Sequence, residues 1–255
     1  MITLRKNSNA LSNQFEDNHP EEILRWVAES SMPHRIGLGT GFGLAGLCLI
    51  DMLVKINKDI PIFYLDTEVL FPETYALRDR LEEKYQIEFV RYATPLTMEA
   101  QKDQYGDRLW ERDPNRCCNL RKVQPLNEAL RNYDVWITAI RREQSPARAN
   151  TGIIEWDPKF DVIKINPLAT WTKSDVWNYI NTHEVPYNPL HDRGYPSIGC
   201  THCTTPVADG EDERDGRWRG QDKIECGLHS QTNGDPRGHH QPQEIEETWQ
   251  QVAQQ

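Results

Sequence analysis

The chain has 255 residues, 37% of them hydrophobic, with six cysteines and a formal net charge of -10. That is enough material for one sizeable core with an appended segment, and the acidic balance excludes sequence-independent nucleic-acid binding, which relies on dense Lys and Arg. Any anionic ligand has to be held by a local cluster of basic residues.

The opening stretch "MITLRKNSNALSNQFEDNHP" forms a polar arm over 1–20 and holds no apolar run that could serve as a signal peptide, which points to the cytoplasm. Helical spacing of Ile23, Leu24, Val27 and Ala28 in "EEILRWVAES" predicts a first helix. Short apolar runs then alternate with amphipathic stretches. Strands are predicted over 36–39, 60–65, 87–92 and 135–139, and helices near 43–57, 72–85 and 171–183. "IIEWDPKFDVIKI" reads as two short strands around the turn Asp157-Pro158. The longest uncharged run, 36–50, is glycine-rich and short of the roughly 20 apolar residues that a bilayer span needs. No membrane partner is expected. Strand and helix in alternation imply an α/β fold with a doubly wound, largely parallel sheet, whose ligands sit beyond the carboxyl ends of the strands.

From Asn188 onward the chain is rich in Gly, Pro, Asp and Arg and shows no helical period. An irregular segment of this length is usually functional or disordered. Two main units are expected, an α/β domain over 21–199 and a C-terminal segment over 200–255, with a flexible tail beyond Ser230.

Cys117 and Cys118 adjoin each other in "RCC", and Cys200 and Cys203 form "CTHC". Adjacent cysteines do not easily bond to each other, so the two pairs are better placed to grip a third thing. Four thiolates suit structural zinc or an iron–sulfur cluster. The adjacent pair constrains one tetrahedral ion badly, whereas a cubane offers separate irons to neighbouring sulfurs, so the spacing favours a 4Fe-4S cluster over zinc. Cys48, alone in an apolar helix, reads as a small buried hydrophobe. Cys226, in "ECGLH", follows "ERDGRWRG", whose arginines beside a tryptophan suit a phosphate or sulfate and a flat ring.

With "RCCNLRKVQPL", "CTHC" and "ECGLH" in this order, the sequence resembles the assimilatory sulfonucleotide reductases, and specifically their iron–sulfur type, which reduces adenosine 5'-phosphosulfate (APS). "LDTEVLFPETY" and "RREQSPAR" are further blocks of that resemblance, which spans about residues 21–230. It implies an adenine nucleotide alpha hydrolase-like fold. It also implies that Cys117, Cys118, Cys200 and Cys203 ligate a 4Fe-4S cluster and that Cys226 is the nucleophile. Lys122 would lie between cluster and substrate. Arg142, Arg214, Arg217 and His229 would contact phosphate and sulfate oxygens, and Asp66 and Thr67 would sit by the adenosine. One block departs from the pattern: "GTGFGLAG" carries Ala45 and Gly46 where relatives have an acidic pair, which leaves Thr40 as its one side-chain hydroxyl. Glu68 likewise stands where relatives often have glycine.

The implied reaction is attack of Cys226 on the substrate's sulfur, giving AMP and an enzyme thiosulfonate. The tail has no second cysteine, so an external dithiol, thioredoxin or a related protein, must release sulfite. The alternative substrate is 3'-phosphoadenosine 5'-phosphosulfate (PAPS), alone or alongside APS. An ATP-pyrophosphatase and a zinc-stabilised binding module are the rival readings. A homo-oligomer is compatible with the sequence, which does not set the oligomeric state.

Overall fold

The computed structural model describes residue 8, residues 10–29 and residues 35–229. The flexible tail expected beyond Ser230 lies outside the described residues. The polar arm is not a free strand of chain where it is described. Residues 10–14 are helical, Leu11 and Phe15 pack on the core, and Ser12 Oγ accepts a hydrogen bond from the Ile154 amide.

Helix α1 (Pro20–Glu29) buries Ile23, Leu24 and Val27 on one face. Then come β1 (Ile36–Thr40), α2 (Leu44–Ile56), β2 (Ile62–Asp66), α3 (Pro72–Tyr85) and β3 (Phe89–Ala93). Helix α2 is buried almost all round, which is why its sequence is predominantly apolar rather than an amphipathic stripe. Its one acidic residue, Asp51, accepts hydrogen bonds from Tyr85 (2.9 Å), Tyr179 (2.7 Å) and Lys55 (2.6 Å). The buried carboxylate is thereby satisfied, and it ties α2 to two neighbouring helices.

Two short helices, α4 (Met98–Tyr105) and α5 (Leu109–Arg112), lead into a continuous helical run made of α6 (Pro114–Cys118), a wider π turn (Asn119–Val123) and α7 (Gln124–Leu130). The chain ends its regular part with β4 (Val135–Ile137), β5 (Ile154–Asp157), β6 (Val162–Ile165) and α8 (Lys173–Thr182), the last opened by a reciprocal Thr172–Asp175 cap.

The six strands form one sheet in the order β3-β2-β1-β4-β6-β5. All pairings are parallel except β5 with β6, which is the hairpin predicted around Asp157-Pro158. Alternate residues face opposite layers. Ile62 and Tyr64 join the core under α1, α2 and α8, while Phe63, Trp136 and Val162 pack against Leu126, Ala129 and Leu130 of α7. Helices therefore cover both faces, and the fold is the doubly wound α/β type. Strand order reverses between β1 and β4, and the crevice outside the carboxyl ends of those two strands is where such sheets bind ligands. Among the described residues, no helix is long and apolar enough to cross a membrane.

Candidate active site

A cavity of about 620 Å³ opens at that reversal point. Its floor is the turn after β1: Gly39, Thr40, Gly41 and Gly43 line it, and so does the first turn of α2. That helix has no acidic residue in its first turn, so its N-terminal amides present uncompensated positive charge to the cavity. Gly39 is required by close packing, because a Cβ there would stand 2.6 Å from the Trp136 indole nitrogen. Thr40 also lines the cavity, but its Oγ1 already accepts a hydrogen bond from the Phe42 amide at 3.0 Å.

Cations outnumber anions on the walls. Lys122, Arg141, Arg148, Lys173, Arg214 and Arg217 line the cavity against Asp209, Glu211 and Glu213, the last paired with Lys173 at 3.3 Å and Arg141 at 3.6 Å. Five of its lining residues hold buried polar atoms with no hydrogen-bond partner among the described residues: Arg141 Nε, Arg214 Nε, Trp136 Nε1, His229 Nδ1 and both ring nitrogens of His191. Buried donors are normally satisfied. A ring of them around one cavity, with several positive charges, is the chemistry of an anion site.

Cys226 lines the same cavity, half-buried. Its segment is held from both sides. Downstream, Gly227 O accepts from Lys159 Nζ at 2.7 Å, Leu228 packs on the Phe63–Leu126 cluster, and His229 stacks on Trp136 with 5.1 Å between ring centroids. Burial, with Lys164, Arg148, Arg214 and Lys159 nearby, pushes the His229 imidazole well below its usual range, so it is neutral. Upstream, Trp218 lies under Arg217, whose guanidinium is 4.6 Å from the ring centroid.

The other four expected cysteines meet elsewhere. Cys117 and Cys118, at the end of α6, and Cys200 and Cys203, on the loop after residue 199, line one small cavity with Val69, Met98, Trp110 and His202. Asp113 caps α6 through the Arg116 amide (2.9 Å), and the π turn begins directly after Cys118. Cys200 is joined to Leu70 by a β-bridge. Burial and the neighbouring thiols push Cys117 up to about 12, and burial pushes Cys203 up to about 11. Cys200 goes the other way: burial opposes its charge, but Lys122, a hydrogen bond with Thr67 and Arg217 together bring its thiol below the ordinary value. Among the described residues, no group of three or more His, Cys, Asp or Glu could hold a metal ion. The four thiols nonetheless share one cavity, and four thiolates suit either a zinc ion or an iron–sulfur cubane, which takes one thiolate at each of four irons.

Lys122 is the one described residue that lines both cavities. It is buried, which works against its charge, yet Cys200 and Cys118 raise its affinity for the proton. Arg121, beside it, is fully enclosed and donates to Gln101, Glu68 and the carbonyls of Thr67 and Leu96.

Residues 35–206 match the model of the phosphoadenosine phosphosulfate reductase domain. The chain belongs to the phosphoadenosine phosphosulfate reductase family. Among curated proteins it is 47% identical to an adenosine 5'-phosphosulfate reductase of Salinibacter ruber, over 90% of this chain and 91% of that one. It is 46% identical to adenosine 5'-phosphosulfate reductase 1 of Bacillus subtilis over 81% of this chain and 89% of that one. A phosphoadenosine 5'-phosphosulfate reductase of Gloeobacter violaceus is 48% identical, over 86% and 92% respectively. Among solved structures, a phosphoadenylyl-sulfate reductase from Candida auris in complex with phosphate superposes with a TM-score of 0.69 at 33% identity, covering 79% of this chain and 97% of that one. The FMN adenylyltransferase of Candida glabrata shares the fold alone, at 14% identity and a TM-score of 0.54 over 84% of this chain and 74% of that one.

For this member of the phosphoadenosine phosphosulfate reductase family, the structure brings Thr40, Thr67, Lys122, Arg214, Arg217, Cys226 and His229 to the large cavity. Two expected contacts are not there. Arg142 turns away: it pairs with both carboxylate oxygens of Glu16 and donates to Thr151 O, so it fastens the N-terminal arm. Its neighbour Arg141 lines the cavity instead: Arg141 is extended and Arg142 opens a 3-10 turn, so the two side chains leave the backbone in different directions. Asp66 is spent on structure, accepting from Tyr75, the Glu68 amide and Arg91 at 2.7 to 2.8 Å. It braces the turn that carries Thr67. Sequence reasoning missed Arg141, Arg148, Trp136 and Lys173, although "RREQSPAR" contains the first two.

His191 lines the cavity as a half-buried ring beside Trp177 and Tyr187, and burial pushes its imidazole down to about 4. The unfolded chain, with histidine near 6.5, therefore binds this proton more tightly than the folded one. The ring's contribution to stability is complete above about pH 6.5 and is lost as the pH falls towards 4, by up to about 3 kcal/mol. Urea unfolding at pH 7 and pH 5 should show a smaller loss for His191→Gln than for the wild type. Equal losses would contradict this assignment.

Proposed function

We propose that the chain is an APS reductase of assimilatory sulfate reduction, taking two electrons from thioredoxin or a related dithiol protein and releasing AMP and sulfite. The observation that carries this reading is the placement of Cys226 in a cation-lined cavity whose Lys122 reaches back to four clustered thiols. Two of the three curated relatives named above are APS reductases, which favours APS over PAPS as substrate.

In this reading the nucleotide's phosphate sits at the N-terminus of α2, and Lys122, Arg214, Arg217 and Arg141 hold the sulfate end. Each charge-assisted hydrogen bond contributes about 1.5 to 3 kcal/mol, so several together hold the anion against the protein's negative net charge. The Cys226 thiolate attacks the sulfur: a sulfur–sulfur bond forms, the sulfur–oxygen bond to the phosphate breaks, and AMP leaves with the electron pair. The neutral His229, stacked on Trp136, offers a buried ring nitrogen to an oxygen of the transferring group. A dithiol then attacks Cys226 Sγ and sulfite departs with that bond's electron pair. The resulting mixed disulfide is resolved by the donor's second thiol, so the dithiol is oxidised and the sulfur reduced by two electrons. Cys48 cannot serve as the second thiol, since it is fully buried in α2 and burial pushes its thiol up to about 12.

Cys117, Cys118, Cys200 and Cys203 would hold a 4Fe-4S cluster, which would supply a fixed charge that organises the site rather than a redox step. Lys122 lies between that charge and the substrate's anion and contributes to both. This reading places the enzyme in the cytoplasm, where reduced thioredoxin is available. Its test is anaerobic sulfite release: APS with reduced thioredoxin should yield sulfite and AMP in equal amounts, and AMP without sulfite when the dithiol is withheld.

A further inference from the structure

Glu225 precedes Cys226, and its carboxylate accepts four hydrogen bonds. Oε1 accepts from Arg148 Nε at 3.0 Å and from Ser145 Oγ at 3.3 Å. Oε2 accepts from Arg148 Nη2 at 2.9 Å and from Arg214 Nη2 at 3.3 Å. The three charged side chains are 12 to 18% exposed, so solvent screens them little. Arg148 is held in turn by Gln144, on the turns that leave β4, and Arg214 also donates to Ile224 O at 2.8 Å. One carboxylate thus joins the turns between β4 and β5, the loop of Arg214 and the segment of Cys226.

Upstream of Cys226 apolar burial gives no hold, because Ile224 is 71% exposed; the apolar anchors, Leu228 and His229, lie downstream. The forked pairing also leaves the cavity's own donors in place. Arg214 Nε stays buried and unpartnered among the described residues.

We propose that Glu225 is a positioning residue that holds Cys226 over the cavity through its ion pairs with Arg148 and Arg214. The inference rests on Cys226 being the nucleophile. Without the carboxylate, two guanidinium groups face each other where the tail should dock, and the Cys226 sulfur loses its fixed line of approach. Small misplacements of a reacting group cost up to about a hundredfold in rate.

The test compares wild type, Glu225→Gln and Glu225→Asp, loaded with their cofactor and mixed with APS in the absence of any dithiol. Mass spectrometry of quenched samples follows the sulfonate on Cys226, calorimetry measures AMP affinity, and trypsin probes the bond after Lys223. Glu225→Gln should be sulfonated about tenfold more slowly or worse, with AMP affinity not weakened and faster cleavage after Lys223. Glu225→Asp, which keeps the charge, should fall between. Sulfonation of the Gln variant at the wild-type rate overturns the proposal, as does a parallel collapse of AMP affinity, which would make Glu225 part of the nucleotide site. An absence of adduct on wild-type Cys226 would instead overturn the nucleophile reading itself.

Discussion

Cys226→Ser is expected to lose sulfite release by at least about a thousandfold while keeping the fold and the visible absorbance that the proposed 4Fe-4S cluster would give. A hydroxyl fits the half-buried position, but it is a far weaker nucleophile than a thiolate at neutral pH and cannot form the sulfur–sulfur bond on which dithiol reduction depends. The four thiols of the second cavity are untouched by the change, since Cys226 is not among the residues that line it. The variant should therefore release neither AMP nor sulfite from APS, yet still bind AMP. Turnover within tenfold of the wild type would remove Cys226 from the reaction.

Lys122→Ala should separate the two cavities functionally. Among the described residues Lys122 alone lines both, and its charge is favoured by Cys200 and Cys118 on one side, while in the proposed reaction it would meet the substrate's anion on the other. Deleting one charge-assisted contact of about 1.5 to 3 kcal/mol predicts a loss in kcat/KM of about tenfold to a hundredfold. Visible absorbance should persist, because none of the four thiols is removed. If absorbance and activity vanish together, Lys122 is a scaffold for the cysteines and its role toward the substrate falls.

The alternation of strands and helices was legible because the first three strands are short apolar runs bounded by turns and the helices between them carry clear spacing. It placed the ligand site beyond the carboxyl ends of the strands, and the structure narrows that to β1 and β4. Helix α4 was not legible: its single buried residue is Gln101, so no apolar stripe marks it, and it is set by the Thr97 cap instead. The cysteine pairs were legible from spacing, and the structure brings the two pairs to one cavity across more than eighty intervening residues.

The basic residues were legible as a group and not one by one. Arg141 and Arg142 differ by a single step along the chain, and which of them faces the cavity depends on the phase with which the chain leaves β4. Asp66 was assigned to the nucleotide, whereas Arg91 and Tyr75, from other elements, claim its oxygens. Such partners come from tertiary packing and leave no local signal.

Glu68 gives the opposite case. Its φ of 61° is the left-handed conformation that favours glycine, so the residue type noted as unusual does sit at a strained position. Ion pairs with the enclosed Arg121 (3.2 Å) and with Arg91 (3.8 Å) offset that strain.

The most direct measurement is sulfite release under anaerobic conditions from APS and from PAPS in parallel, each with reduced thioredoxin. The account predicts release from APS with a large preference over PAPS, so that the turn from Gly39 to Gly46 supports selectivity without an acidic pair. Comparable rates would make the enzyme dual in specificity, and no sulfite from either substrate would contradict the account.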